Sequence, residues 1–159
     1  MIKAGDKIPS ATFTVMTAEG PKPRTTDEIF AGKKVVLFGV PGAFTPTCHK
    51  NHLPGFVAKE AEIKAKGVHT IAVTAVNDVF VMDAWAKDTQ ANGKIDFLAD
   101  GSAAFAKAIG LTVDLIERGL GIRSRRYAMI VDNGIVKSVD VEEAAGVEVS
   151  GADHILKLL

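Results

Sequence analysis

The residue with the clearest chemical potential in this chain is Cys48, its only cysteine. It follows the Gly/Pro-rich segment Pro41–Thr47, in which Thr45 suits the N-cap of a helix and Pro46 suits the first helical position. This spacing predicts that Cys48 lies in the first helical turn, where unpaired backbone N–H groups and the helix dipole stabilise an anion. We therefore expect the pKa of the Cys48 thiol to lie below its ordinary value of about 8.5, with the nucleophilic thiolate as the resting form.

Other interpretations of Cys48 are open at this point. A lone cysteine in an apolar protein is commonly a small buried hydrophobe, although open α/β sheets place their sites at the carboxyl ends of strands, where Cys48 is expected. His52 lies four residues later and can share a helical face with Cys48. The pair could form half of a metal site, but further ligands are not evident and we expect no metal. The adjacent His49 should point elsewhere, and no catalytic role is expected for it.

The elements that position Cys48 alternate between strand and helix. Residues 34–40 form an apolar, β-branched run typical of a strand buried on both faces. Helical spacing then extends from Pro46 to before Gly67, with a kink or break expected at Pro54-Gly55. Further patterns predict a strand at 68–76, a helix beginning at Asn77-Asp78, a short strand at 95–98, a short helix at 102–109 and a closing helix at 153–159.

The carboxyl-terminal third carries the strongest hairpin signal. Residues 127–131 and 135–139 are apolar runs joined through Asn133-Gly134, a pair that favours a type I′ turn. Residues 112–125 show no clean period, so we expect a long loop there. Together these elements predict an α/β fold, with a central mixed β-sheet flanked by helices on both faces.

Composition and charge restrict the possible partners. The 159 residues show no break in composition, which predicts a single domain over 1–159. Basic and acidic residues number 19 each, so no overall field attracts nucleic acid or an anionic membrane, and we expect neither partner. No dinucleotide-binding or P-loop motif is present, and no cofactor is expected.

The redox compartment and location follow from simpler observations. One cysteine excludes an internal disulfide framework. Residues 1–6 resemble neither a signal peptide nor a transit peptide, and no run approaches the roughly 20 apolar residues of a membrane span. A reducing cytoplasm is therefore the expected location.

The segment Pro41-Gly42-Ala43-Phe44-Thr45-Pro46-Thr47-Cys48, followed by His52-Leu53-Pro54-Gly55-Phe56, resembles the active-site signature of the peroxiredoxins, and more narrowly of their type-5 subfamily, called type II in plants. The likeness extends over nearly the whole chain, through Lys64-Ala65-Lys66-Gly67-Val68, Val76-Asn77-Asp78, Phe80-Val81, Trp85, Leu98-Ala99-Asp100 and Arg126-Tyr127-Ala128-Met129. The resemblance implies a thioredoxin-like fold and a thiol-dependent peroxidase that reduces hydrogen peroxide and organic hydroperoxides.

The resemblance also implies catalytic roles. Cys48 would attack one peroxide oxygen and become a sulfenic acid while water or an alcohol leaves. Thr45 would turn its hydroxyl toward the thiolate and the peroxide, although a role as a simple N-cap is open. Arg126 would hold the thiolate and the transferring oxygen by charge-assisted hydrogen bonds. Pro41 would wall the pocket and shield the thiolate, although a proline that ends a strand needs no functional reason.

The remaining site residues are assigned to the substrate side of the pocket. They are Gly42, Thr47 and His52, of which His52 supports the active-site network in the subfamily; packing or capping by His52 is an equal alternative. Arg123 and Arg125 serve as neighbouring controls for Arg126.

This chain departs from relatives that carry a second, resolving cysteine. Val73 and, less clearly, Val149 stand at the comparable positions. The resemblance therefore implies a one-cysteine mechanism completed by an external thiol. Glutathione, with or without glutaredoxin, is the first expectation by family analogy, and thioredoxin is the second.

The subfamily commonly forms homodimers near the active-site loops. A homodimer is therefore implied here as well. The apolar residues Phe44, Phe80 and Ile122 could line the dimer contact, or could be core or pocket residues.

Two rival functions would use the same thiolate. A cysteine hydrolase or acyl transferase needs a general base and an orienting carboxylate, and no hydrolase motif surrounds Cys48. A redox sensor or holdase would use oxidised Cys48 as a switch, without multiple turnover.

Overall fold

The computed structural model describes residues 1–159 and contains nine strands and six α-helices. The strands are β1 (Thr12–Thr17), β2 (Gly20–Thr25), β3 (Lys34–Gly39), β4 (Thr70–Ala75), β5 (Asp96–Ala99), β6 (Thr112–Leu115), β7 (Gly121–Ser124), β8 (Tyr127–Asp132) and β9 (Ile135–Val141). The helices are α1 (Thr26–Phe30), α2 (Leu53–Ala58), α3 (Glu60–Ala65), α4 (Val79–Asp88), α5 (Ala104–Ala108) and α6 (Ala152–Leu158). A π-helical turn at Cys48–His52 and a 3-10 turn at Ile116–Arg118 complete the elements.

Seven strands form one mixed sheet in the order β2-β1-β5-β4-β3-β8-β9. The inner strand β3 pairs in parallel with β4 and antiparallel with β8. Its side chains alternate between two apolar clusters: Val36 and Phe38 join one, and Val35 and Leu37 join the other. This confirms the predicted strand that is buried on both faces, and it makes β3 the rigid element from which the chain passes to Cys48.

Helices cover both faces of the sheet, which confirms the predicted fold class. The cluster that contains Cys48 also receives side chains from α2, α3, α4 and α6. The cluster on the opposite face receives Ile29 and Phe30 from α1 and Phe105 from α5. No element was predicted for residues 12–30. In the structure they form β1 and β2, at the end of the sheet opposite β9, and helix α1.

The helical segment after β3 is irregular, but not at the predicted position. Pro54 lies in the first turn of α2, and the distortion precedes it, where the Leu53 N–H donates to the Cys48 carbonyl five residues earlier. A proline has no N–H to donate and its ring clashes with the carbonyl four residues back, so a widened turn before it relieves both problems. A second break follows at Lys59.

The structure confirms one of the two predictions for the carboxyl-terminal third and contradicts the other. The β8–β9 hairpin is confirmed: Asn133 and Gly134 have φ values of 48° and 78°, as a type I′ turn requires. The long loop predicted at 112–125 is wrong, because β6 and β7 form a separate antiparallel hairpin. Strands of four residues span only two periods of side-chain alternation, so the sequence pattern is too short to identify them.

None of the helices combines the length and the apolar character that a membrane span requires.

Candidate active site

The segment that carries Cys48 becomes helical at Pro46, which places Cys48 in the first turn. Thr45, however, does not cap that turn with its side chain, since its Oγ1 donates to the carbonyl of Gly42 at 2.6 Å. No backbone hydrogen bond is donated by the N–H of Thr47 or Cys48. Because the hydroxyl proton of Thr45 is directed to Gly42, the lone pairs of its oxygen can accept a hydrogen bond from another molecule.

Two side chains from other elements hold the loop between β3 and Cys48. Arg123 Nη1 donates to the carbonyl of Pro41 at 3.0 Å, and Asn77 Oδ1 accepts from the N–H of Ala43 at 2.9 Å. Gly42 permits this arrangement, because a Cβ at that position would come within 2.6 Å of Arg123 Nη1. Neither support is predicted from the sequence, in which Arg123 is a neighbouring control for Arg126 and Asn77 marks the start of a helix.

The sulfur of Cys48 is fully buried, yet its surroundings are not purely apolar. Arg126 Nη2 donates to Cys48 Sγ at 3.0 Å, and Arg126 Nη1 lies 2.9 Å from His52 Nδ1. A guanidinium donates more strongly to an anion than to a neutral group, so this contact stabilises the negatively charged sulfur. The interpretation of Cys48 as a small buried hydrophobe gives no reason for a cation at this distance.

His52 is buried and neutral. Burial lowers the pKa of His52 to about 4, helped by the positive charge of Arg126 and opposed by a hydrogen bond to Ser150. Because the guanidinium can only donate, Nδ1 must accept from Arg126, and Nε2–H then donates to the Ser150 carbonyl at 2.8 Å. Both ring nitrogens are thus occupied, and the tautomer is fixed.

The contacts of His52 also bear on two alternative interpretations of Cys48, the hydrolase nucleophile and the metal ligand. Arg126, rather than Cys48, is its hydrogen-bond partner, so the structure contains no Cys–His pair of the kind that a hydrolase needs. The guanidinium donates to both Sγ and Nδ1, and it therefore occupies the position between Cys48 and His52 that a shared metal ion would require.

The lowered pKa of His52 predicts a pH-dependent stability. Between about pH 6.5 and pH 4 the unfolded chain binds a proton that the folded chain does not, so the free energy of unfolding falls as the pH falls through this window. The shift corresponds to a loss of up to about 3 kcal/mol. Urea unfolding of wild type and His52→Gln at a series of pH values should show a shallower dependence for the variant. An equal pH dependence of the free energy of unfolding in the two proteins would contradict the lowered pKa of His52.

His49 points away from the sulfur, toward helix α4. Its Nδ1 accepts from the indole N–H of Trp85 at 3.0 Å, and its ring stacks on Phe44 with centroids 5.6 Å apart. Phe44 has a φ of 63°, a left-handed conformation that a bulky residue rarely adopts. These contacts engage His49 with Trp85 and Phe44, and the absence of a catalytic role for His49 stays a prediction. They also make Trp85 a natural fluorescent reporter of the turn that carries Cys48.

A cavity of about 890 Å³ lies beside this cluster. Pro41, Thr45, Thr47 and Arg126 line it, whereas Gly42, Cys48 and His52 do not. Residues of the β6–β7 hairpin and the segment after β9 form the other walls. Of the residues with assigned catalytic roles, Thr45 and Arg126 are therefore the polar ones that reach the cavity, with the sulfur behind them.

Comparisons with known proteins agree with this geometry. The Redoxin family model matches residues 3–156. Peroxiredoxin-2C of Oryza sativa subsp. japonica is 48% identical over 159 residues, which cover 99% of this chain and 98% of the rice protein. Peroxiredoxin-2D of Arabidopsis thaliana is 48% identical over 160 residues, with the same coverage. The crystal structure of reduced Prx3 from Vibrio vulnificus in complex with hydrogen peroxide is 51% identical, with a TM-score of 0.96 and 99% of each chain covered.

The mixed sheet places the single cysteine at the start of a helix, and the chain resembles plant type II proteins over its full length. The chain therefore belongs to the peroxiredoxin family, in its type II group, and is a peroxidase that reduces hydroperoxides with a thiol.

Proposed function

We propose that Cys48 reduces hydrogen peroxide and organic hydroperoxides, and that an external thiol then regenerates it. The observation that carries this proposal is the 3.0 Å contact between Arg126 Nη2 and the buried sulfur, made by a residue that also lines a cavity. The reacting peroxide must reach the sulfur past Thr45 and Arg126. The hydrogen peroxide complex of the Vibrio vulnificus protein supports the same substrate here.

The reaction follows from the charges at the site. The thiolate of Cys48 attacks one peroxide oxygen, an S–O bond forms and the O–O bond breaks. The other peroxide oxygen takes up a proton from solvent and leaves as water or an alcohol, while Cys48 becomes a sulfenic acid. The Thr45 oxygen accepts a hydrogen bond from the attacked peroxide, and Arg126 donates to the oxygen that is being transferred. These contacts hold the nucleophile and the peroxide in line.

The other assigned residues act by shaping the site. Pro41 walls the cavity and shields the sulfur from water. Gly42 leaves room for Arg123, and the free N–H of Thr47 is available to a substrate oxygen. His52 touches no substrate in this scheme and acts by accepting a hydrogen bond from Arg126.

Regeneration needs a second thiol from outside the chain, because Cys48 is the only cysteine. A thiolate attacks the sulfenic sulfur to give a mixed disulfide and water, and another thiol releases Cys48. We place glutathione, with or without glutaredoxin, ahead of thioredoxin. Charged side chains of both signs, Asp114 and Arg118, line the cavity and suit a small thiol that bears carboxylates and an ammonium group.

Turnover assays test this proposal. Without added thiol, the protein should consume about one equivalent of hydrogen peroxide per Cys48 and then stop. Glutathione, glutathione with glutaredoxin, and thioredoxin with its reductase are then compared as reductants, and sustained consumption is expected with at least the first or second. Sustained turnover with no thiol would contradict the one-cysteine mechanism. Oxidation of Cys48 with no turnover in any thiol system would favour a peroxide-sensing switch.

A homodimer and a cytoplasmic location complete the proposal. Phe44, Phe80 and Ile122 are 46%, 65% and 38% exposed, so they are not core residues. Arg123, which follows Ile122, donates to the carbonyl of Pro41, and Asn77, three residues before Phe80, accepts from the N–H of Ala43. Both hydrogen bonds are made to the loop that carries Phe44, which favours one contact face shared by Phe44, Phe80 and Ile122. Sedimentation as a monomer at all concentrations would contradict the dimer. For the location, the names of the 2C and 2D relatives state no organelle.

A further inference from the structure

A single carboxylate organises the segment that precedes α6. Glu142 directly follows β9, and its Oε2 accepts four hydrogen bonds. Three come from the backbone N–H groups of Glu148, Val149 and Ser150, at 2.8, 2.9 and 2.8 Å, and the fourth comes from Ser150 Oγ at 2.6 Å. Partial burial opposes ionisation of this carboxyl, but the hydrogen bonds outweigh it and lower the pKa of Glu142. The acceptor is therefore a carboxylate at neutral pH.

The same residue closes a ring of hydrogen bonds around Arg126. The Ser150 carbonyl accepts from His52 Nε2, and His52 Nδ1 accepts from Arg126. The carbonyl of Arg126 in turn accepts from the backbone N–H of Glu142 at 2.9 Å. Glu142, Ser150, His52 and Arg126 thus form a closed ring of hydrogen bonds. Of these four residues, Arg126 is the one that also binds the sulfur of Cys48, through its Nη2.

We infer that Glu142 is a positioning residue for the peroxidase reaction, acting through Ser150 and His52 to hold the guanidinium of Arg126 on the sulfur; this inference rests on the proposed function. An arginine side chain has many rotamers, and fixing its head requires partners on more than one nitrogen. His52 can accept from Arg126 only while its proton is on Nε2, and that proton needs the Ser150 carbonyl. Glu142 fixes that carbonyl by binding the N–H and the hydroxyl of the same residue.

The neighbouring Glu143 provides a matched control. It carries the same charge, lines the same cavity and is exposed, but its side chain makes no hydrogen bond within the protein. Removal of Glu143 changes the electrostatic field of the cavity by the same formal charge and leaves the ring intact. A difference between variants at the two positions therefore isolates the hydrogen-bonded role of Glu142.

The test is stopped-flow oxidation of the full chain by hydrogen peroxide, followed by Trp85 fluorescence, for Glu142→Ala, Glu142→Gln, Glu142→Asp and Glu143→Ala. We expect the second-order rate constant to fall about tenfold in Glu142→Ala and Glu142→Asp, which lose the acceptor or shorten its reach. Glu142→Gln keeps an amide oxygen at the same reach and should recover most of the rate. Glu143→Ala should stay within about twofold of wild type.

A nuclear magnetic resonance readout separates positioning from general loss of structure. The ring ¹⁵N shifts of His52 should show one fixed Nε2–H tautomer in wild type and Glu142→Gln, and a mixture in Glu142→Ala. If Glu142→Ala does not fold, Glu142→Asp decides in its place.

Each contrary outcome has a distinct meaning. Wild-type rates with an unchanged His52 tautomer in Glu142→Ala and Glu142→Asp would overturn the inference, as would an equal loss in Glu143→Ala. Failure of Glu142→Gln to recover the rate would assign the effect to charge alone and also overturn it. A wild-type protein that does not react with peroxide would instead defeat the proposed function.

Discussion

Replacement of Cys48 by serine is expected to abolish hydroperoxide reduction, down to the rate of the uncatalysed control. A serine hydroxyl is not ionised at neutral pH, and the site offers no general base to activate it, because His52 is engaged with Arg126 and Ser150. The hydroxyl can still accept the hydrogen bond from Arg126, so the fold should be retained. The chain has no other cysteine to take over the reaction.

Two measurements check this outcome. Peroxide consumption in the presence of an effective thiol system should fall to the level without enzyme. Titration of free thiols should find one group per wild-type chain, lost on addition of one equivalent of peroxide, and none in Cys48→Ser. Turnover by the serine variant above the control would sink the assignment of Cys48 as the nucleophile.

Arg126→Gln is expected to lower the second-order rate constant for hydrogen peroxide about 100-fold, or about 2.7 kcal/mol of transition-state stabilisation. The variant loses the donor to Cys48 Sγ and leaves the buried His52 Nδ1 without its partner. Arg126→Lys keeps the charge, but a single ammonium cannot donate to both atoms with the geometry of the guanidinium fork. We expect it to remain at least about tenfold below wild type.

The control for this experiment is Arg125→Gln. Arg125 lines the same cavity, and its guanidinium makes no hydrogen bond within the protein, so the rate with hydrogen peroxide should change by less than about threefold. Arg123 is unsuitable as a control because it holds the carbonyl of Pro41. Stopped-flow kinetics, with circular dichroism to verify folding, measure the effect. An Arg126→Gln rate close to that of Arg125→Gln would show that the contact to sulfur does not act in the transition state.

Local sequence patterns predicted the elements whose causes are local. Strand β3 follows from an unbroken apolar run, the β8–β9 turn follows from Asn133-Gly134, and α4 begins where the Asp78 carboxylate accepts from the N–H of Val81. The β6–β7 hairpin was missed because its short strands are specified by pairing with each other, which no run within either strand reveals. The kink or break predicted at Pro54-Gly55 lies one turn earlier in the structure, as the π-helical turn Cys48–His52, for a related reason: proline shows that a helix must distort, but packing selects where.

Local sequence patterns were enough to name Cys48 as the candidate nucleophile and to predict its setting: a lone cysteine just inside a helix that begins at Pro46, after a strand buried on both faces. The groups that surround the sulfur come from distant parts of the chain and are visible in the folded structure alone. Arg126 is 78 residues from Cys48, and Ser150 is 98 residues from His52. The β3–β8 register, with Tyr127 opposite Gly39, brings Arg126 to the end of β3, where the chain turns toward Cys48. Such contacts depend on strand register and side-chain packing between distant segments, and therefore no local pattern along the chain specifies them.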